Sequence, residues 1–390
     1  MRPSIFLLSF AFLATSVQAQ PPTTFSSGST GADGPLTYAQ NLGTLSFPPA
    51  TLGQRVNNIY NFTTITIGAG TTVRLSGWVL NGPVYWLATG DVVLDGGVLD
   101  LSGTNGRPAG SPTQRSPNEP GPGGFSGGVG QGSVTGQNAA PGSGPGGGSG
   151  GAPTGNPAGG GGTFTGNNYL QPLIGGSGGG GAGNGGGGGA GGGAILIASS
   201  TQITVTNNAG ILANGGSGYS VSGGGSGGAV RLVANTVSFT NNISGESGVN
   251  AAGGSPNGGG GIIRLEAFTE TGGTGSAQTV IVSTPVSISL PTGGTSTINV
   301  TKVNNIAINA NPFSFPDVTI NTGSPVPVII SGVNIPPGTT GNLYIYGETT
   351  ADQVIPFTLT GTLQSTAATV SVSYPSVGSR GFAKVTWTGQ

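Results

Sequence analysis

The sequence predicts an all-β protein: a right-handed parallel β-helix with three strands per coil, followed by an immunoglobulin-like β-sandwich. Three observations carry this expectation. A three-strand unit recurs at a period of roughly twenty residues, the mark of a solenoid. Glycine-rich insertions all fall at one corner of that unit. From about Thr284 onward glycine thins and short alternating strands take over.

The clearest unit is Pro83 to Gly103, PVYWLATGDVVLDGGVLDLSG. Turn residues cut it into three strand-like pieces with apolar pairs Tyr85/Leu87, Val92/Leu94 and Leu99/Leu101. The same pattern returns in Gly193–Gly216 as Ile195/Ile197, Ile203/Val205 and Ile211/Ala213. It returns in Gly228–Gly248 as Val230/Leu232, Val237/Phe239 and Ile243/Gly245. A further copy starts at Ile263/Leu265, and an earlier one carries Ile65/Ile67 and Val73/Leu75. Strands this short leave no room for crossover helices, so successive coils stack in parallel, and such connections are right-handed in about 98% of cases. Tyr85, Ile195, Val230 and Ile263 are expected in one apolar column. Arg231 and Arg264 are then expected on the outer face, above Leu196 and Trp86.

Taken in order, residues 1–19 read as a secretory signal peptide: Arg2, an apolar run Ile5–Ala14 and a small-residue site Val17-Gln18-Ala19. The expected location is therefore extracellular or in the cell envelope. Residues 20–58 are an N-terminal cap or a tail; the open first coil of a β-helix needs a cap against end-to-end association. Residues 59–275 form the β-helix, with a long insertion at 104–192. Glycine fills half of Gly121–Gly193. Such a stretch is either a mobile low-complexity loop or a close-packed bundle of extended, polyproline-II-like segments. Residues 284–390 hold about nine short strands with turn signals, as in an antiparallel sandwich. That domain is expected to cover the far end of the coil stack.

Composition narrows the chemistry. Charged residues make up 5% of the chain, with Lys+Arg 10 and Asp+Glu 11, against about 25% charged in ordinary globular proteins. No basic patch is present for nucleic acid. Nothing after the leader reaches the length of a membrane span. The chain has no His and no Cys, which removes Ser-His-Asp and Cys-His catalysis, ordinary zinc sites and disulfide stapling. The phosphate-binding loop pattern is missing too, so no cofactor and no metal is expected. Asp91, Asp95 and Asp100 are the one carboxylate cluster; at turns, Asp usually caps backbone. Trp78, Tyr169 and Tyr219 fall in the corner insertions, where aromatic rings stack on sugars or pack the insertion down. The stacked pair Arg231 and Arg264 either grips an anionic glycan or is simply solvated. These five residues are the candidate glycan contacts. Asn61-Phe62-Thr63, Asn242-Ile243-Ser244 and Asn299-Val300-Thr301 match the glycosylation sequon.

The motifs PVYWLATGDVVLDGGVLDLSG, GGGGAGGGAILIASSTQITV, SGGAVRLVA and GGGGIIRLEAF, with the C-terminal IPPGTTGNLYIYGETTADQ, resemble a group of exported glycine-rich bacterial proteins. The resemblance implies a β-helix followed by a sandwich and transfers no activity. In composition, the 104–192 insertion resembles the glycine-rich regions of animal receptor kinases and some phage tail adhesins, where bundles of extended segments occur. The function expected is a non-catalytic structural or adhesive role, with polysaccharide or cell-surface glycan as partner and self-association as a further property. A β-helix polysaccharide lyase or hydrolase, and a purely structural envelope component, are the alternatives.

Overall fold

The computed structural model describes residues 24–110, 115–152, 157–239, 248–272, 279–292, 296–308, 318–373 and 381–387. The signal peptide (1–19) and the Asn242 sequon lie outside them. The described chain is nearly all β, with one four-residue helix, Gly77–Leu80, and a short 3-10 turn. None of its helices is long and apolar enough to cross a membrane.

Two parallel ladders organise the first two thirds. In the larger, Ile59–Gly68 runs long enough to serve two rows. Its first half starts the row Val84–Ala88, Ala194–Ser199, Ala229–Val233, Ile262–Glu266 and Thr279–Ser283. Its second half starts the row Val92–Asp95, Gln202–Thr206, Thr236–Phe239 and Thr269–Thr271. The other ladder stacks Gly43–Phe47, Thr71–Leu75, Val98–Asp100, Gly210–Leu212 and Gly248–Asn250. Side chains alternate across each strand, so the in-register apolar residues form columns: Ile65–Val92–Ile203–Val237 and Val73–Leu99–Ile211–Val249. These columns are almost wholly buried in one core.

Two registers differ from expectation. In the first row Val84, not Tyr85, stands in line with Ile195, Val230 and Ile263. A one-residue slip turns every side chain over. Trp86 therefore points inward, over Ile197, Leu232 and Leu265, and Tyr85 shares the outer face with Leu196, Arg231 and Arg264. Aromatic packing accounts for the choice. Trp86 lies 4.8 Å from the Phe47 ring and 6.0 Å from Phe62, while Tyr60 meets Phe47 edge-on at 4.8 Å. Such pairs add about 1 kcal/mol each beyond area burial. The second difference is in the third strand of the penultimate unit. Ile243 lies outside the described residues, and Val249 pairs with Ile211. Asn250 thus follows Arg74, Asp100 and Leu212 in their row.

The segment expected as cap or tail supplies one more rung of the ladders. Gly34–Tyr38 pairs in parallel with the second half of Ile59–Gly68, and Gly43–Phe47 with Thr71–Leu75. Leu36, Tyr38 and Phe47 are buried in the common core. Asp33 ties the start down: its carboxylate accepts from the Asn61 N–H at 2.6 Å and pairs with Arg55 at 2.7 Å.

The glycine-rich insertion is an ordered hydrogen-bonded bundle, outside any β-ladder. Its rule is visible at Gly187–Gly192, whose amides donate in turn to Arg107, Gly128, Gly223, Thr104, Phe125 and Ser226. Every third amide returns to the same neighbouring segment, so one chain serves three neighbours. The segment beside it behaves alike: Gly178, Gly179 and Gly180 donate to Ser143, Gly189 and Gly160. A three-residue repeat without internal bonds is that of polyproline II, and it satisfies a buried backbone without sheet geometry. The cost is that segments touch backbone to backbone. A Cβ added at Gly179 or Gly188 would fall well inside 3.0 Å of a neighbouring carbonyl. Of the two expectations for this insertion, the close-packed bundle is the one observed.

Thr279–Ser283 closes the larger ladder at Ile262–Glu266, and the chain then turns back over the outer face of the first row. Ile288 and Leu290 pack there with Tyr85, Leu196 and Phe25, and the Asn57 amide reaches the Pro291 carbonyl. The C-terminal region therefore does not cover the far end. Its two antiparallel sheets, of five and three strands, share a core of Val328, Ile330, Leu343, Ile345 and Phe357. They dock on the glycine bundle instead. There Arg115, 1% exposed, grips Asp352 through Nη2 at 2.6 and 2.5 Å, and Gln137 donates to the Gly347 and Thr350 carbonyls.

Candidate functional site

The three clustered carboxylates do separate structural jobs. Asp91 accepts from Thr201 Oγ1 and Gln202 Nε2 of the next unit. Asp95 accepts from Thr206 and Asn207. Asp100 caps its own turn through the Ser102 N–H at 2.9 Å and pairs with Arg74 at 3.2 Å. Each carboxylate ties one rung to a neighbour or closes a turn. The partners of the three carboxylates are all different.

Arg231 and Arg264 do stack, but neither is solvated nor lacks an acid. Glu266 lies two residues beyond Arg264 on the same face and is fully buried. It accepts from Arg231 Nε at 2.8 Å and from Arg264 Nε at 2.6 Å. Its second oxygen takes the Arg231 Nη2 at 3.2 Å and the Val286 N–H at 3.0 Å. Arg264 also donates to the Asn168 carbonyl and to Ser283 Oγ. The exposed ring of Tyr169 lies 5.5 Å from its guanidinium. The returning 284–290 segment and the Leu170–Leu173 turn cover this group. The pair is thus withdrawn from any polymer and fastens the chain to its own sheet. The signal was legible: in IIRLEA, Arg and Glu two apart on a strand share a face.

Trp78 stands elsewhere. It lies on the short helix capped by Ser76, half-exposed, and lines an open concavity of roughly 290 Å³ with Thr104, Asn105, Gly106, Arg107, Pro108 and Glu119. The floor is fixed by backbone bonds: Thr104 N–H to Glu119 O, Gly106 N–H to Ser217 O, and Gly187 N–H to Arg107 O. Asn105 Oδ1 accepts from the Ser217 N–H at 2.8 Å. Arg107 Nε is buried and has no partner among the described residues. Glu119 is 3.8 Å from Arg74, which Asp100 holds from its other side. Tyr219 belongs to the same side of the bundle, on the segment that Ser217 bonds to Asn105 and Gly106, its N–H on Gly187 O. The structure thus brings Trp78 and the Tyr219 segment to one region and sends Tyr169, Arg231 and Arg264 to another. Arg107, Asn105 and Glu119 carry no motif; only the fold of the bundle assembles them.

A second concavity, on the C-terminal sheet, is lined by Thr340, Asn342, Pro356, Phe357 and Thr358 and holds no charged side chain. Searches of family profiles, curated proteins and solved structures return no match to this chain.

Proposed function

We propose that this chain is an exported, non-catalytic scaffold of adhesive type: a right-handed parallel β-helix with an immunoglobulin-like sandwich, holding a glycine-rich surface rigidly toward polysaccharide. The observation that carries the reading is the three-neighbour backbone lattice of the glycine bundle. It makes a surface poor in side chains, poor in charge and fixed in shape, which suits flat contact with a polymer through hydrogen bonds. The separate employment of Asp91, Asp95 and Asp100 speaks for binding over cleavage, because glycosidic chemistry needs paired carboxyl groups across one bond.

The test uses the chain from Gln20 onward against plant, algal and bacterial polysaccharides, scored for retention and for new reducing or unsaturated ends. Retention without new ends is expected. New ends that disappear in Asp91→Ala, Asp95→Ala or Asp100→Ala would make it a lyase or hydrolase. Absence of both signals would favour a purely structural envelope role.

A further inference from the structure

We infer that the concavity between Trp78 and Arg107 is a binding site for an uncharged pyranose unit; this inference rests on the glycan-facing reading above and gives it an address and a ligand class. A pyranose offers an apolar C–H face and a rim of hydroxyls that both donate and accept. The concavity presents the complement: an indole, the guanidinium of Arg107, the side-chain amide of Asn105 and the Glu119 carboxylate. Arg107 supplies a specific reason to expect a ligand. Its Nε has no acceptor among the described residues, and such an unsatisfied group calls for an explanation, a bound water, ion or ligand among them. The other buried arginines, Arg115, Arg231 and Arg264, each pair with a carboxylate, Asp352 or Glu266, and among the described residues Arg107 pairs with none.

Charge selects the class. Arg74 and Arg107 are balanced by Asp100 and Glu119, so the local sum is zero. A uronate or sulfated unit would bring a second negative charge beside Glu119, whereas a neutral hydroxyl rim uses donor and acceptor together. The floor is already fixed by three segments bonded to one another, so little ordering cost opposes binding.

The test is affinity electrophoresis of the chain from Gln20 onward in gels of a neutral β-glucan, a galactomannan and a polyuronate. The parent is expected to be retarded by a neutral polymer. Trp78→Ala and Arg107→Gln are each expected to weaken that retardation about tenfold or more, as truncating a central aromatic or Arg anchor does, with unchanged melting temperature. Arg107 bonds its neighbours through backbone only, so Arg107→Gln keeps the fold if Trp78→Ala does not. Tyr169→Ala should bind like the parent. If a neutral polymer retards parent, Trp78→Ala and Arg107→Gln alike, or if Tyr169→Ala alone loses binding, the site is wrong while the glycan reading stands. Retardation by the polyuronate alone overturns the ligand class. No retardation of the parent by any polymer sinks both.

Discussion

Replacing Gly179 by alanine tests the glycine bundle most directly, because a mobile loop and a packed lattice predict opposite signs. In a flexible segment the change restricts the unfolded chain and is neutral or stabilising by about 0.4–1 kcal/mol. In the bundle the new methyl falls well inside 3.0 Å of the Gly223 carbonyl, and that neighbour is backbone, which cannot rotate away. Separating the two segments strains four hydrogen bonds: Gly179 to Gly189, Gly128 to Gly179, Gly189 to Gly223 and Gly223 to Gly180, all at 2.8–2.9 Å. At about 1 kcal/mol net each, weakening most of them and subtracting the entropic gain leaves a loss of about 2–3 kcal/mol. Gly259→Ala is the internal control. It lies in the same bundle, yet its nearest neighbours stand 3.4 Å from an added Cβ, an ordinary contact, so a change within about 0.5 kcal/mol is expected. Denaturant midpoints, with amide exchange at the bundle glycines, give the answer. A Gly179→Ala protein as stable as its parent, with unchanged exchange, would refute the lattice argument.

Three more outcomes follow from buried charge and buried phenols. Glu266→Gln leaves two guanidinia buried against a neutral amide, and a loss of about 3–5 kcal/mol in denaturant unfolding is expected; replacing Arg231, Arg264 and Glu266 together by Met and Leu should cost much less. Asp352→Asn strips Arg115 of its counter-ion, and faster amide exchange should appear on both sides of that contact, at 128–140 and at 344–352, with the core of the parallel ladders unaffected. In alkali, burial raises Tyr38 and Tyr60 to about 12, and raises Tyr85 and Tyr346 as well. Raised folded values mean stability that is complete below pH 10 and lost as pH climbs toward 12. Lys384, lowered by burial from 10.5 to about 8, acts oppositely, with stability rising between pH 8 and 10.5. Unfolding midpoints should therefore hold or rise toward pH 10 and drop steeply above it; a flat profile to pH 12 would contradict the burial of the phenols.

How far the sequence could be read depended on what each residue's neighbours were. Where a strand alternates cleanly, the period of two fixes both face and partner, and Ile65, Val92, Ile203 and Val237 align as the pattern requires. In VYWLA every residue is buried, so alternation says nothing about facing and aromatic packing decided it in favour of Trp86. The glycine insertion was ambiguous for a different reason. Composition records the entropic cost of ordering glycine but not the number of backbone partners, and it is the third-residue return of each amide to its neighbour that makes order favourable. The concavity around Arg107 was illegible, because its parts come from a helix and two bundle segments with no local pattern in common.

The scarcity of charge explains where the charges are. A surface wetted by backbone, Asn, Ser and Thr needs few ions, and most of the charged side chains among the described residues stand at seams. Asp33–Arg55 fastens the first rung, and Arg74 bridges the strand residue Asp100 to Glu119 of the insertion. Arg115–Asp352 joins the bundle to the C-terminal sheets, and Arg231–Glu266–Arg264 holds the returning 284–290 segment on the outer face. Backbone ladders specify the interior of each part but not which parts meet. A buried ion pair adds little net stability where a hydrophobic pair would serve, yet it heavily penalises every arrangement that leaves one member unpaired. In a chain of near-identical Gly–Gly contacts, where sliding one segment by three residues costs few hydrogen bonds, that penalty is what selects a single register. On this argument Arg107, partly buried, is the exception among the described arginines: it stands outside any such pair, and its Nε lacks an acceptor among the described residues.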